Sequence, residues 1–361
     1  IARRILYSNA VAAGPLVTAR DWMEHFHAQA RIRPGVVLDV DYRTFTKDRS
    51  WPKSSVTVVW RDGYGIHTER CGTERRNWDV PLNLDGVREH LPVSDSASVQ
   101  VEVLNYRPGN RVTARYTVKT TSGATVELYG KTYADTRGEA IFERMTRLHQ
   151  AGFPMPRPLG YSETIRTAWQ ESFRGTPLIE SLGKTGEAEL LSAAAARVAF
   201  LHASDLRCPA RLTLTDQHAD LSKKLAKLAT VVPEHRTRFE RILRTLADGL
   251  DNLAPIEPGV IHGDLHIGQF MVREGQVALF DYDETSIGDP CEDLAAFIAN
   301  LHATGLPHER VQQIGGTLLS AYATCRGARP LPDSRLRWHT AVQLLTRAYR
   351  ALIQLKPGFD T

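Results

Sequence analysis

Two acids carry the clearest chemical signal in the sequence. Asp264 stands within Val260-Ile-His-Gly-Asp-Leu-His-Ile-Gly-Gln-Phe-Met-Val272, and Asp281 within Ala278-Leu-Phe-Asp-Tyr-Asp283. Between them, the apolar runs Phe270–Val272 and Val277–Phe280 flank Arg273-Glu-Gly-Gln276, whose glycine and polar neighbours suit a tight hairpin. Such a hairpin holds Asp264 and Gln269 at its entrance and Asp281 at its exit. An acid in a loop can take the proton of a hydroxyl within hydrogen-bonding reach. An acid at the end of an apolar strand, joined by the amide oxygen of Gln269, offers hard oxygen donors to Mg2+. Base and divalent cation are the equipment of phosphoryl transfer, which rests on an anchored triphosphate and an oriented hydroxyl and needs little covalent help.

In this order and spacing, His262-Gly-Asp264, Gln269 and Phe280-Asp-Tyr282 resemble the catalytic loop and metal-binding Asp of the aminoglycoside phosphotransferase and protein-kinase-like superfamily. Gly288-Asp-Pro-Cys-Glu-Asp-Leu-Ala295 resembles the segment that follows the metal Asp in aminoglycoside-phosphotransferase-type enzymes. The resemblance implies that Asp264 is the catalytic base, that Asp281 and Gln269 hold Mg2+, and that ATP or another NTP is the donor. Gln269 stands where most of the superfamily has Asn. The run His-Gly-Asp-Leu-His-(apolar)-Gly-Gln is similar to the bacterial maltokinases, which also carry Gln there. The same departure motivates the alternative of a catalytically weak nucleotide-binding pseudokinase or scaffold on this fold. His266 either contacts the acceptor or orders the loop. Asp283 either touches metal or substrate or is a surface, hydrogen-bonding acid. Asp289 and Asp293 are expected to cap and brace the helix that begins at Pro290.

Further elements must position these groups. Val99–Leu104, Val112–Val118 and Thr125–Lys131 alternate like strands of an antiparallel meander, with turns at Arg107-Pro-Gly-Asn110 and Thr121-Ser-Gly123. Ile141, Phe142, Met145 and Leu148 have helical spacing within Gly138–Leu148, and Pro154-Met-Pro156 follows as a stop. Leu159–Ser162 and Ala168–Phe173 read as two more strands. Strand, strand, strand, helix resembles the small lobe of a kinase. That resemblance gives Lys131 to the α- and β-phosphates, with Glu139, favoured over Glu143, to hold it by an ion pair. It sets Gly109, Asn110 and Arg111 in the turn that closes over the phosphates, where Arg111 is either part of the clamp or an exposed hairpin arginine. It also gives backbone groups of Glu171 and Phe173 to the nucleotide base.

Helical patterns over Glu187–Ser204, Asp216–Ala229, Pro233–Leu253, Glu292–Ala303, Glu309–Cys325 and Ser334–Leu355 make the rest mainly α. The first residues are less legible: Asp21–Ala30 looks helical, Val36–Tyr42 and Ser55–Trp60 look like strands, and Arg61–Gly65 reads as a turn. The expected fold is α+β and bilobal, protein-kinase-like. A small antiparallel β lobe with one helix occupies residues 96–175, a mainly helical lobe with the catalytic loop occupies 176–361, and residues 1–95 form an N-terminal cap or extension.

The 361 residues exceed what one compact core usually supports, in keeping with several subdomains. Cys71, Cys208, Cys291 and Cys325 are far apart, which suggests neither a zinc site nor a disulfide framework and fits a reducing cytoplasm. The longest apolar stretch, Leu190–Ala203, is broken by Arg197 and is too short to span a bilayer. A net charge of +4 is spread among interspersed acids with no long basic run, so a mildly basic enzyme is preferred over a nucleic-acid binder. The expected partners are therefore a nucleotide and a small-molecule hydroxyl acceptor. Residues 292–361 hold five Asp or Glu against eight Lys or Arg, which points to a neutral or anionic acceptor such as a sugar or glycoside rather than a polycation.

Overall fold

A computed structural model of the chain describes residues 36–40, 56–62, 65–71, 87–93, 95–107, 110–211, 213–328 and 331–353. The chain divides into two compact units, one of Ile1–Thr146 with Arg157–Ser172 and the other of Arg147–Pro156 with Phe173–Thr361. The helix expected over Asp21–Ala30 lies outside the described residues.

In the first unit, β1 (Val36–Val40), β2 (Val56–Asp62) and β3 (Gly65–Cys71) form an antiparallel sheet in that order. The strand β3 is absent from the sequence reading, because Gly-Ile-His-Thr-Glu-Arg-Cys has one large aliphatic residue and no apolar alternation. A larger antiparallel sheet follows, built from β4 (Ser96–Arg107), β5 (Arg111–Thr120), β6 (Thr125–Tyr133), β7 (Pro158–Ser162) and β8 (Thr167–Glu171), in the order β4-β5-β6-β8-β7. Strands β5 and β6 alternate between buried and open faces as their sequences demand. Ala114, Tyr116 and Val118 of β5, Leu128 of β6 and Trp169 of β8 face one core with Val99. Tyr116 meets Trp169 edge-on, with ring centroids 4.8 Å apart. Gly130 is required there, since a Cβ would lie 2.7 Å from the Trp169 ring. Helix α1 (Arg137–Gln150) buries Ile141, Met145 and Leu148 at three-to-four spacing.

The second unit contains β9 (Thr176–Pro177), α2 (Glu187–His202), α3 (Leu214–Val231), α4 (Arg236–Leu250), β10 (Gly259–Ile261), β11 (Phe270–Arg273), β12 (Gln276–Leu279), β13 (Ser286–Gly288), α5 (Pro290–His302), α6 (His308–Cys325) and α7 (Asp333–Ile353). The helix expected from Pro233 starts three residues later, after a 3-10 turn at Pro233–His235. At its centre is α5, which is apolar on nearly every face and almost wholly buried, Cys291 and the charged Glu292 and Asp293 included. Helix α6 packs on α2, and α7 packs on α5 and α3. Each fully buried Leu, Phe or Val of this core contributes about 1.5–3 kcal/mol. Two small antiparallel sheets, β12-β11-β9 and β10-β13, carry the loops of interest. Among the described residues, no helix is long and apolar enough to cross a membrane.

Candidate active site

The loop that bears Asp264 leaves β10 and is gripped at once from below. The carboxylate of Asp293 on α5 accepts hydrogen bonds from the backbone amides of His262, at 2.6 Å, and Gly263, at 2.9 Å. Asp293 is fully buried, which alone would push its carboxyl upward. The His202 hydrogen bond and charge, together with His262, bring it net below the ordinary carboxylate range. His202 approaches it through Nε2 at 3.0 Å, and its Nδ1 lies 2.7 Å from the Tyr322 hydroxyl. This corrects the sequence expectation for Asp293, whose carboxylate braces the Asp264 loop rather than its own helix. Asp289 does cap α5, accepting from the amide of Cys291 at 2.9 Å, and its other oxygen receives Arg335 at 2.6 Å and His339 at 3.0 Å.

Gly263 has φ +81, and a Cβ on it would collide with the backbone carbonyl of Glu284. Its own carbonyl accepts from Arg211 at 3.1 Å. Arg211 in turn donates twice to Glu292 Oε1, at 2.9 and 2.7 Å, while Gln217 reaches Glu292 Oε2 at 3.2 Å. Both the N–H and the C=O of Gly263 are therefore fixed, and the next residue is Asp264, whose side chain is 34% exposed.

The hairpin closes as its sequence predicts. Phe270 pairs with Leu279 and Arg273 with Gln276, and the turn residues Glu274 and Gly275 both have positive φ, of +52 and +77. At its open end, the amide of Phe280 donates to the carbonyl of Gln269 at 2.9 Å, and the amide of Gln269 to the carbonyl of His266 at 2.9 Å. The ring of His262 lies 2.7 Å from the carbonyl of Phe280 through Nε2, and since a carbonyl can only accept, Nε2 carries the hydrogen. The loop of Asp264 is thus fastened twice to the residue that precedes Asp281. Asp281 adopts φ +64, a left-handed conformation uncommon outside glycine and concentrated at functional sites. Asp283 lies in the 3-10 turn Tyr282–Glu284, half-buried. Phe173 packs on Phe280, with centroids 5.5 Å apart, under the guanidinium of Arg273.

Helix α7 brings two arginines that sequence reasoning missed as site residues. Arg350 Nη1 lies 3.5 Å from Asp264 Oδ1. Arg347 donates to the carbonyl of Ala296 at 3.1 Å, and its Nε is buried without a hydrogen-bond partner. Burial, then the neighbouring Arg350, lower the Arg347 pKa against the pull of Asp264. His266 is shifted down as well, by burial first, with Asp264 opposing. A helix face with arginines three apart is also what an ordinary solvated helix shows, so spacing alone could not have found this pair.

Asp281 and Gln269 supply a carboxylate and an amide oxygen, which suit Mg2+. Among the described residues, no cluster of three or more His, Cys, Asp or Glu is arranged to hold a metal.

In the first unit, Lys131 pairs in register with Thr113 and Ala168, on the face of β6 opposite Leu128, Gly130 and Thr132. Asn110 accepts from the amide of Ala134 at 2.8 Å and from Arg137, whereas Gly109 lies outside the described residues. Arg111 is 7% exposed, which excludes the exposed hairpin arginine. Glu139 and Glu143 are both exposed on α1. Glu171 exchanges bonds with Arg157, its amide donating at 2.9 Å and its carboxylate accepting at 3.2 and 3.3 Å.

Comparisons with known proteins agree with this architecture. The chain is similar in fold to a macrolide 2'-phosphotransferase, MphH, from Brachybacterium faecium, with 18% identity, 78% of this chain and 95% of that chain covered, and a TM-score of 0.51. A macrolide 2'-phosphotransferase of type I gives 19% identity, 79% and 94% coverage and a TM-score of 0.52. The choline kinase LicA from Streptococcus pneumoniae gives 16%, 76% and 90%, and 0.50. These likenesses show the kinase-like fold. No curated protein matches the sequence. The model of the phosphotransferase enzyme family matches residues 107–329, over half of the chain and including the Asp264 loop and the hairpin after it, and the chain belongs to that family.

Proposed function

We propose that the chain transfers the γ-phosphate of ATP or another NTP to a hydroxyl of a small molecule, such as a sugar, a glycoside or an antibiotic-like natural product. The observation that supports this is the double fastening of the Asp264 loop to Phe280, through the His262 ring and the Gln269 carbonyl, which ties the loop to the residue before Asp281. Asp264 accepts the proton of the attacking hydroxyl. Asp281 and Gln269 hold Mg2+, which, when bound, neutralises charge on the transferring phosphoryl group. Lys131 contacts the α- and β-phosphates and is paired by Glu139. Gly109, Asn110 and Arg111 close over the phosphates, and backbone groups of Glu171 and Phe173 receive the base of the nucleotide. In this reading, residues 96–175 and 176–361 act as the two lobes, residues 1–95 form a cap or extension, and the enzyme works in the cytoplasm.

Mass spectrometry of acceptor libraries incubated with the purified chain, Mg2+ and ATP or GTP tests the proposal. A phosphorylated product is expected, and Asp264→Asn should slow its formation by about 10²–10⁴-fold. Nucleotide binding with no product from any acceptor would instead favour the non-catalytic role that Gln269 raises.

A further inference from the structure

The arginines of α7 bear on which acceptor is taken. Arg350 reaches toward the solvent, 51% exposed, and touches Asp264 at the outer limit of hydrogen bonding, so the carboxylate does not saturate its five N–H groups. Arg347, one helical turn earlier, is half-buried with one end on the Ala296 carbonyl and a buried Nε that has no acceptor. Asp264 accepts from Arg350, the Ala296 carbonyl of α5 accepts from Arg347, and His266 feels the charges of Arg347, Asp264 and Asp281. Arg347 and Arg350 lie side by side at Asp264, with Asp281 acting on the neighbouring His266, and the long Arg350 contact leaves guanidinium donors open beside the base. A polycation meets this pair unfavourably, and a neutral sugar offers those donors no anion.

We infer that the acceptor carries an anionic group of its own, a carboxylate or a phosphate, which Arg350 and Arg347 bind while the acceptor hydroxyl meets Asp264. The inference rests on the phosphotransferase reading above and narrows its acceptor class. Planar guanidinium forks match both anions; Arg350 presents such a fork to solvent, and Arg347, whose Nε is closed off, adds its charge beside it. When the anion arrives, Arg350 exchanges its long contact with Asp264 for a shorter one with the ligand. The Asp264 oxygen is then released to receive the hydroxyl proton. Hydroxy acids, uronic acids and phosphorylated sugars satisfy both requirements.

The test uses the full chain and four probes of similar size: glucose, glucosamine, glucuronate and glucose 6-phosphate. Calorimetry without nucleotide measures binding, and turnover with Mg-ATP is followed separately. Glucuronate or glucose 6-phosphate should bind about tenfold or more tightly than glucose, with glucosamine weakest. Arg350→Gln and Arg347→Gln should each cut that preference about tenfold, and Arg350→Lys should restore part of it. Because Arg350 is exposed, its variants keep the test valid if Arg347→Gln fails to fold. Equal binding of all four probes, preference for glucosamine, or a preference that survives in Arg350→Gln overturns the inference. Arginine-dependent binding of an acid that is never phosphorylated overturns the phosphotransferase reading and leaves the anion site standing.

Discussion

Asp293 and His202 meet at 3.0 Å inside the second unit, shut off from solvent, and the same Asp293 carboxylate takes the amides of His262 and Gly263 at the start of the Asp264 loop. A buried charge of this kind is worth little as an ion pair but a great deal as a set of filled acceptors. Removing the pieces in order should therefore give a graded series. Tyr322→Phe deletes one bond to His202 and should cost about 1 kcal/mol, with turnover nearly kept. Asp293→Asn breaks the charge that two amides and an imidazole depend on, and should cost about 3–5 kcal/mol with a large fall in kcat. Urea unfolding and steady-state turnover on the same preparations check both steps.

Arg211 holds the Gly263 carbonyl and Glu292, so its variants should act by moving the Asp264 loop. Arg211→Lys cannot span Glu292 and the Gly263 carbonyl together, so kcat should drop about tenfold while the nucleotide KM stays close to wild type. Arg211→Met combined with Glu292→Gln should recover stability that Arg211→Met loses, because it no longer leaves a buried carboxylate unpaired, yet should not recover rate. A KM–kcat comparison across these variants separates positioning from simple loss of fold.

Gly263→Ala places a methyl group against the Glu284 carbonyl in a left-handed conformation. The strain of the conformation alone is about 1–2 kcal/mol, and the collision adds to it. The loop must shift to relieve it. Activity should fall by at least about 10²-fold while the thermal midpoint drops by only several degrees, read by product formation and by calorimetry.

Asp289 governs acid stability. Burial raises its carboxyl, but His339, the Cys291 amide and Arg335 outweigh that and hold it well below the usual carboxylate range. A group depressed on folding stabilises above its unfolded pKa, about 3.9, and that contribution disappears as pH falls through the folded value. Wild type should lose stability progressively below about pH 4. Asp289→Asn should be less stable at neutral pH and show a flatter acid limb in denaturant titrations.

Much of this was legible in the sequence, and for identifiable reasons. Period-two alternation announced β5 and β6, three-to-four spacing announced α1, and the glycine and polar neighbours of Arg273–Gln276 announced a tight hairpin, whose Glu274 and Gly275 take positive φ. Each loop acid alone reads as a turn former, and the two were visible only because His262-Gly-Asp264, Gln269 and Phe280-Asp281 stand in this order and spacing around one hairpin. What stayed hidden was long-range. His202, Arg211 and Arg350 lie 91, 52 and 86 residues from their partners Asp293, Gly263 and Asp264, and no local pattern encodes such pairings. Asp293 was seen but misassigned, because a polar residue in the first turn of a helix reads as a helix stabiliser until its side chain is seen to turn away.

Cys291 sits beside Asp289 at the beginning of α5, and burial followed by the Asp289 charge pushes its thiol upward, away from the reactive thiolate. Alkylating reagents should consequently label Cys325, which is exposed, while Cys291 waits for the helix start to open. Because α5 also carries Asp293, the delay before Cys291 reacts is a native clock for how often the catalytic loop loses its anchor.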